Sequence, residues 1–496
     1  MSNRPRPTWE HADRPVDQPV LDAVVEPRAG RLTDDRRSLS AGASADAVAR
    51  LAGWLRAQGV ERGDVVAWQS PNRWEAVALL RACWRLGAVA APVHHLAGPA
   101  DLERIVAGLG PKVIIDPDDV TGAVERGQPV APRERPDGEV ESSDPAGDVA
   151  VVLHTSGSSG EPKGVMHTHA SLAYKARLMA EVHRLAPGDA VLMPAPLAHI
   201  SGLQNAVTLA GAAGLDVVLM ARWDPDHALD LIEQHGITFM IGPPTFFVSL
   251  LHASSFRPER VATLSLISCG GAGVTPSFVA RAADAFGAVV KRTYGSTEAP
   301  TVTTSHAGDD PGRAATTDGR PTGRVRLKLG PADELWLRGP ELFVGYTNAA
   351  RTAEAVVADH EGEWFRTGDV ARLDPDGWLT IVGRIKDLII RGGENIAAAE
   401  VESTLEAHPA VRQAAAVGEP DERLGERVCA FVVLKPGARF DLDECRRWFA
   451  ERGVTRFKTP ERVVELAELP LMPSGKPDRS ALHHQAALAA RHGQCE

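Results

Sequence analysis

The chain has 496 residues, 44% of them hydrophobic and 24% charged, with a formal net charge of -11. That length exceeds a single hydrophobic core, so two or more domains are expected, and the acidic balance opposes non-specific attraction to nucleic acid. The five cysteines, Cys83, Cys269, Cys429, Cys445 and Cys495, stand apart without a C-x-x-C pair, which argues against a disulfide framework or zinc site and fits reduced thiols in the cytoplasm.

The first residues lead into polar, proline-bearing sequence with no apolar segment of signal-peptide type, so secretion is not expected. Apolar residues recur at helical spacing over 47–55, and Gly59 and Gly63 break the pattern before the short strand-like run 65–68. The alternation repeats through 74–84, 88–93, 101–109 and 112–115, which predicts parallel strands covered by helices. Residues 129–148 are polar and proline-bearing and are read as a linker. A second βα series is expected over 172–290. Within it the apolar stretch 203–221 is broken by Gln204, Asn205, Asp216 and two glycines, so a buried helix and strand are expected rather than a membrane span. Beyond Arg384 the texture changes to short elements: helices near 398–408 and 442–452, strands near 412–417 and 428–434. The fold class expected is therefore α/β, a large N-terminal domain of parallel and mixed sheets wrapped by helices over 1–385, followed by a small mobile α+β domain over 386–496. The charge-dense run Arg384-Ile385-Lys386-Asp387 marks a candidate hinge at the join.

Several short strings carry chemistry. Thr155-Ser156-Gly157-Ser158-Ser159-Gly160-Glu161-Pro162-Lys163-Gly164 follows the apolar run 149–153 and offers glycine backbone amides, hydroxyls and one lysine to an anion. Its spacing is wrong for a Walker loop, because Pro162 stands where a second glycine followed by lysine is required. Taken alone, such a segment is an ordinary surface loop. Tyr294-Gly295-Ser296-Thr297-Glu298 follows the strand-like run 288–290, at the end where open α/β sheets bind ligands. Magnesium completes its shell with phosphate oxygens and water, so one glutamate there suffices. Ser268-Cys269-Gly270-Gly271-Ala272-Gly273 lacks bulky side chains and admits a flat ring close to the backbone, with Tyr294 available to stack. Asp369 and Arg384 pair an acceptor with a donor, and Lys476 sits on the turn Pro473-Ser474-Gly475-Lys476-Pro477. The histidine pairs His167/His169 and His483/His484 have no matching carboxylate or cysteine cluster and are read as structural or exposed.

In this order, and together with Arg391-Gly392-Gly393-Glu394-Asn395-Ile396, these strings resemble the adenylate-forming superfamily of acyl-CoA synthetases, firefly luciferase and nonribosomal adenylation domains. The resemblance spans nearly the whole chain. It implies ATP, magnesium and coenzyme A as reactants or cofactors, with a small-molecule carboxylic acid as partner and neither nucleic acid nor membrane. By it, Thr155, Ser156, Gly157, Ser158, Ser159, Gly160 and Lys163 hold the polyphosphate, Gly271, Ala272, Tyr294 and Gly295 the adenosine end, and Asp369 and Arg384 the ribose. Glu298 takes magnesium beside Thr297, Lys476 is the catalytic lysine between carboxylate and α-phosphate, Lys386 lies at the hinge, and Gly392 and Gly393 face coenzyme A. His199 matches the family's acyl gate, and with Ile200, Gly242, Thr245 and Phe246 it is expected to line an apolar acyl pocket for an aliphatic, alicyclic or aromatic acid. Cyclohexanecarboxylate and medium-chain acyl-CoA ligases are the nearest in appearance.

Several positions depart from the family pattern. Asp333-Glu334 replaces Gly-Glu and the stretch 319–334 is short for the usual hairpin, Ala398 and Gly273 replace prolines, and 38–45 lacks the usual strand. Two other readings remain open: an enzyme for one half-reaction or for loading a carrier protein in trans, and a nucleotide-binding regulator without turnover.

Overall fold

The computed structural model describes residues 29–116, 119–127, 149–156, 162–471 and 477–492. The linker expected at 129–148 lies outside them. The chain forms two compact units, one of Met1–Gly271, Val279–Leu327 and Leu337–Arg366, the other of Ala272–Phe278, Lys328–Trp336 and Thr367–Glu496. No helix among the described residues is long and apolar enough to cross a membrane.

Among the described residues, two sheets lie wholly within the larger unit. One has nine strands in the order Arg320–Pro321, Thr303–Thr304, Val289–Tyr294, Leu266–Gly270, Phe239–Gly242, Ala190–Met193, Asp216–Leu219, Arg31–Thr33 and Ser38–Ser40. Its five central strands, from Val289–Tyr294 to Asp216–Leu219, run parallel, as the βα alternation predicts. Leu266–Gly270 and Val289–Tyr294 are neighbours in register, Gly270 opposite Thr293, so the motifs that follow them emerge side by side at the carboxyl ends of the strands. The other sheet orders Val113–Ile115, Val65–Ser70, Val89–His94, Val149–Ser156 and Pro162–Thr168. Its last two strands form an antiparallel hairpin with Thr155 opposite Lys163. The region 38–45, which lacks the family's usual threonine-tyrosine strand, still forms a short one, since Ser38–Ser40 pairs antiparallel with Arg31–Thr33 and Ser40 then caps the helix Ala41–Ala57 by accepting from the Ala43 amide.

The apolar stretch after His199 becomes the short helix Ile200–Gly202, a π-helix over Leu203–Leu209 and the turn Ala210–Ala213, all before the strand Asp216–Leu219. A buried ion pair lies in the same unit: Lys175 Nζ donates to Thr322 Oγ1 at 2.9 Å and stands 3.5 Å from Glu341 Oε1, with both charged side chains at 1% exposure or less. Thr322 in turn donates to the Thr301 carbonyl at 3.1 Å, which ties this pair to the loop following Tyr294.

The smaller unit is α+β. Its sheet orders Glu394–Ala397, Leu388–Arg391, Gly425–Leu434 and Val411–Asp421, with Arg462–Glu465 parallel to Gly425–Leu434. Helices Ala398–Glu406 and Leu442–Glu451 supply Val401, Leu405 and Phe449 to one core face, and Arg479–His492 supplies Leu482 and Ala486 to the other. The stretch expected to be too short for a hairpin does make one. Arg326–Leu329 and Glu334–Arg338 are adjacent strands, and the Gly330 amide bonds the Glu334 carbonyl at 2.8 Å. The turn closes only because Ala332 and Asp333 both adopt φ +56°, a left-handed conformation that costs a non-glycine residue about 1 kcal/mol or more.

Candidate active site

In the larger unit the phosphate-loop candidate is carried by the hairpin of Val149–Ser156 and Pro162–Thr168. Thr155 and Lys163 face each other across it, while Gly157, Ser158, Ser159 and Gly160 lie outside the described residues. The return strand is clamped by the segment carrying Tyr346. The Val344 and Thr347 amides donate to the Met166 and Gly164 carbonyls at 2.8 Å each, and the Met166 amide donates to the Gly345 carbonyl at 3.0 Å. Gly164 has to be glycine, because a Cβ there would sit 2.8 Å from the Thr347 side chain. This clamp brings Lys163 Nζ to 5.6 Å from the centre of the Tyr346 ring, a cation–π arrangement, and Lys163, Tyr346 and Arg351 border a cleft of ≈ 80 Å³. His154, one residue before Thr155, is pushed down to about 4 by burial and is neutral at physiological pH.

Tyr346 also reaches the acidic motif. Its Oη donates to Glu298 Oε1 at 2.7 Å, and among the described residues Glu298 Oε2 carries no hydrogen bond or ion pair. The backbone under Glu298 is held on both sides: His167 Nε2–H donates to the Thr297 carbonyl at 2.7 Å, and the Phe343 amide donates to the Glu298 carbonyl at 2.8 Å. His167 is fully buried, and its ring seats the backbone beneath Thr297 and Glu298. Ahead of them the turn is tight, with the Ser296 amide on the Ala299 carbonyl at 2.9 Å, and a Cβ on Gly295 would meet the Thr301 nitrogen at 2.3 Å. One half-buried carboxylate, with one oxygen fixed and the other open, matches what magnesium asks of a protein when phosphate and water supply the rest. Thr297 itself is buried at 7% exposure.

Gly271, at φ +77°, and Tyr294 follow one another across the adjacent strand ends, leaving an open backbone beside an aromatic ring. Ala272 is exposed in the segment Ala272–Phe278, which belongs to the smaller unit. His199 is exposed and so is no core histidine; its Nδ1 accepts the Ser201 amide at 3.2 Å and caps the helix that carries buried Ile200. Phe246 stacks on Trp223, with ring centres 4.4 Å apart, and a Cβ on Gly242 would lie 2.6 Å from the Phe246 ring, so glycine there lets the aromatic pair settle. Thr245 is exposed.

In the smaller unit Asp369 and Arg384 face each other on paired strands, and Arg384 Nε stands 2.9 Å from Asp369 Oδ1. Asp369 is 4% exposed while half of the Arg384 side chain is open, so the pair offers a fixed acceptor and an accessible donor. Glu334 braces this motif: its Oε1 accepts the Gly368 amide at 3.2 Å and its Oε2 accepts Trp336 Nε1–H at 3.0 Å, while Thr367 Oγ1 donates to the Leu335 carbonyl at 2.8 Å. Gly392 and Gly393, at φ +59° and +90°, form the two-residue turn joining Leu388–Arg391 to Glu394–Ala397, a geometry that favours glycine at both positions. Lys386 is exposed on the single turn Ile385–Asp387. Lys476 lies outside the described residues. Tyr346 was not among the residues expected at the site, its only signal being an aromatic residue directly after Gly345; Glu334 was noted only as part of a departure from the family pattern.

Residues 9–347 match the family model of the AMP-binding enzyme, and residues 400–476 match that of the AMP-binding enzyme C-terminal domain. The chain belongs to the AMP-binding enzyme family. This AMP-binding enzyme is 34% identical over 487 residues to the medium-chain fatty-acid–CoA ligase of Escherichia coli (strain K12), covering 90% of this chain and 85% of that one. It is 33% identical over 479 residues to a feruloyl-CoA synthase of Amycolatopsis sp, covering 92% and 96%. Its fold is similar to that of ATP-bound MatB from Rhodopseudomonas palustris, with a TM-score of 0.83 at 25% identity over 94% of this chain and 98% of the other.

Proposed function

We propose that the protein is an ATP-dependent, AMP-forming acid–thiol ligase of the cytoplasm that activates an aliphatic, alicyclic or aromatic carboxylic acid as its acyl-adenylate and transfers the acyl group to coenzyme A. The observation that carries this reading is the Glu298 carboxylate, pinned by Tyr346 and seated by His167, on the same framework that holds Lys163 and the phosphate hairpin. In the first step an oxygen of the acid attacks the α-phosphorus of ATP, the bond to the β-phosphate oxygen breaks, and pyrophosphate leaves. Lys163 and the amides and hydroxyls of Thr155 to Gly160 hold the polyphosphate, and fixed donors of this kind stabilise charge as it develops. Magnesium, when bound through Glu298, neutralises charge on the departing pyrophosphate. Tyr294 and the open backbone at Gly271 and Ala272 take the adenine, and Asp369 and Arg384 take the ribose hydroxyls. Lys476 offsets repulsion between the two anions. In the second step the coenzyme A thiolate attacks the acyl carbon and AMP leaves, with Gly392 and Gly393 on the coenzyme A side.

The working division is 1–385 and 386–496, with Lys386 as hinge. A panel of carboxylic acids, assayed separately for AMP, pyrophosphate and acyl-CoA, and repeated with a phosphopantetheine-bearing carrier protein in place of coenzyme A, tests the reading. Glu298→Gln and Lys476→Ala are expected to lose adenylate formation, and Lys476→Ala to retain acyl transfer from supplied acyl-adenylate. Equal loss of both steps in Lys476→Ala would contradict its role.

A further inference from the structure

Gln204 is 2% exposed, and neither Oε1 nor Nε2 of its amide has a hydrogen-bond partner. An amide buried in this way destabilises the empty protein, and an apolar side chain of similar shape removes that cost. Such a group persists where a ligand or a buried water supplies the partner. The backbone points the same way, because Gln204 lies in the π-helix Leu203–Leu209, a rare form that is frequent at functional sites. It stands about one turn beyond His199, matched to the acyl gate, and Ile200, expected to line the acyl pocket.

A second buried group strengthens the case. The π-helix packs on the helix His169–His183 and the strand Ala190–Met193, and its Leu203 and Val207 share one apolar cluster with Met179, Met193 and Ile241. Ser268 is the register partner of Ile241 on the adjacent parallel strand, so its side chain lies on the same sheet face. It is fully buried, and its hydroxyl also lacks a partner. An unpaired amide on the π-helix and an unpaired hydroxyl on the sheet thus adjoin one apolar cluster. Both groups can donate and accept and neither is charged, which matches a neutral oxygen-bearing substituent rather than a second carboxylate or an amine.

We propose that Gln204, assisted by Ser268, is a specificity-determining residue that hydrogen-bonds a hydroxyl or carbonyl group on the body of the acid, so that the preferred substrates are oxygenated acids rather than plain hydrocarbon ones. This rests on the ligase reading above and narrows its substrate class. A site built to bond such a group discriminates strongly against the analogue without it, because the protein groups are then left unpaired.

The test uses the full-length enzyme with matched pairs of straight-chain, alicyclic and aromatic acids, each with and without one hydroxyl or keto group. Acyl-CoA formation is measured for the wild type, Gln204→Met and Ser268→Ala, and the melting temperature of each is measured without substrate. The wild type is expected to prefer the oxygenated member of at least one pair by about tenfold or more in kcat/KM. Gln204→Met is expected to lose that preference, chiefly through KM for the oxygenated acid, and to melt at the same or a higher temperature when empty. Preference for the hydrocarbon member throughout, or unchanged preference in Gln204→Met, would overturn the proposal. A lower melting temperature for Gln204→Met would do the same, since it would reveal an internal partner for the amide. Absence of both acyl-CoA and ATP–pyrophosphate exchange with every acid would overturn the ligase reading itself, while the melting comparison would still decide whether the amide is unpaired.

Discussion

Replacing Tyr346 by phenylalanine removes one atom from the centre of the site. The Oη lost is the donor to Glu298 Oε1 at 2.7 Å, whereas the ring that faces Lys163 and packs edge-on against Phe343 at 4.9 Å stays in place. A hydrogen bond to a charged acceptor contributes about 1.5–3 kcal/mol, so a carboxylate that loses this anchor should lower kcat/KM for adenylation roughly ten- to hundredfold. Because Glu298 is the assigned magnesium ligand, the loss should appear as a higher magnesium requirement as well as a slower rate. ATP–pyrophosphate exchange measured over a range of magnesium concentrations reads both. Thermal unfolding serves as the control that the variant stays folded at the assay temperature. Exchange and magnesium dependence equal to those of the wild type would refute the view that Tyr346 positions Glu298.

Three further predictions concern stability. Lys175→Met should destabilise the larger unit by about 3–5 kcal/mol in urea unfolding, because it removes the cation paired with the buried Glu341 carboxylate, and the double variant Lys175→Met/Glu341→Leu should recover most of that loss. His183, pushed down to about 3 by burial and then by Lys291, Lys175 and His306, stays neutral in the folded protein, whereas the unfolded chain takes up a proton below the ordinary value of 6.5. Its contribution is complete above pH 6.5 and is lost as pH falls towards 3, by at most about 1.4 kcal/mol per pH unit; His183→Gln should flatten that decline in denaturant titrations between pH 7 and 5. Ala332→Gly should raise stability by about 1 kcal/mol by relieving the left-handed turn at φ +56°, and an unchanged or lower unfolding midpoint would count against strain there.

What could be read in the sequence was whatever is encoded locally. Short apolar runs broken by glycine located the strands 65–70 and 89–94, and glycine-rich strings after such runs placed Gly271 and Tyr294 at the carboxyl ends of strands. The return strand Pro162–Thr168 was not legible, since proline, glycine, lysine and histidine mask any alternation and only pairing with Val149–Ser156 makes it a strand. The hold of Tyr346 on Glu298 joins positions far apart in the chain, and nothing in either neighbourhood marks it. The π-helix was hidden for another reason: residues 203–209 are all buried, so the run has no polar face from which a helical period can be read. The hairpin at 326–338 escaped because its turn uses alanine and aspartate in a conformation that sequence rules reserve for glycine.

The central claim is that adenylation and thioester formation proceed on one chain by way of an acyl-adenylate. It is tested most directly by quantifying nucleotide and thioester products in a single reaction of enzyme, ATP, magnesium, coenzyme A and an accepted acid. Equal amounts of AMP, pyrophosphate and acyl-CoA are predicted, all lost together in Glu298→Gln; formation of ADP and phosphate, or thioester without AMP, would contradict the account.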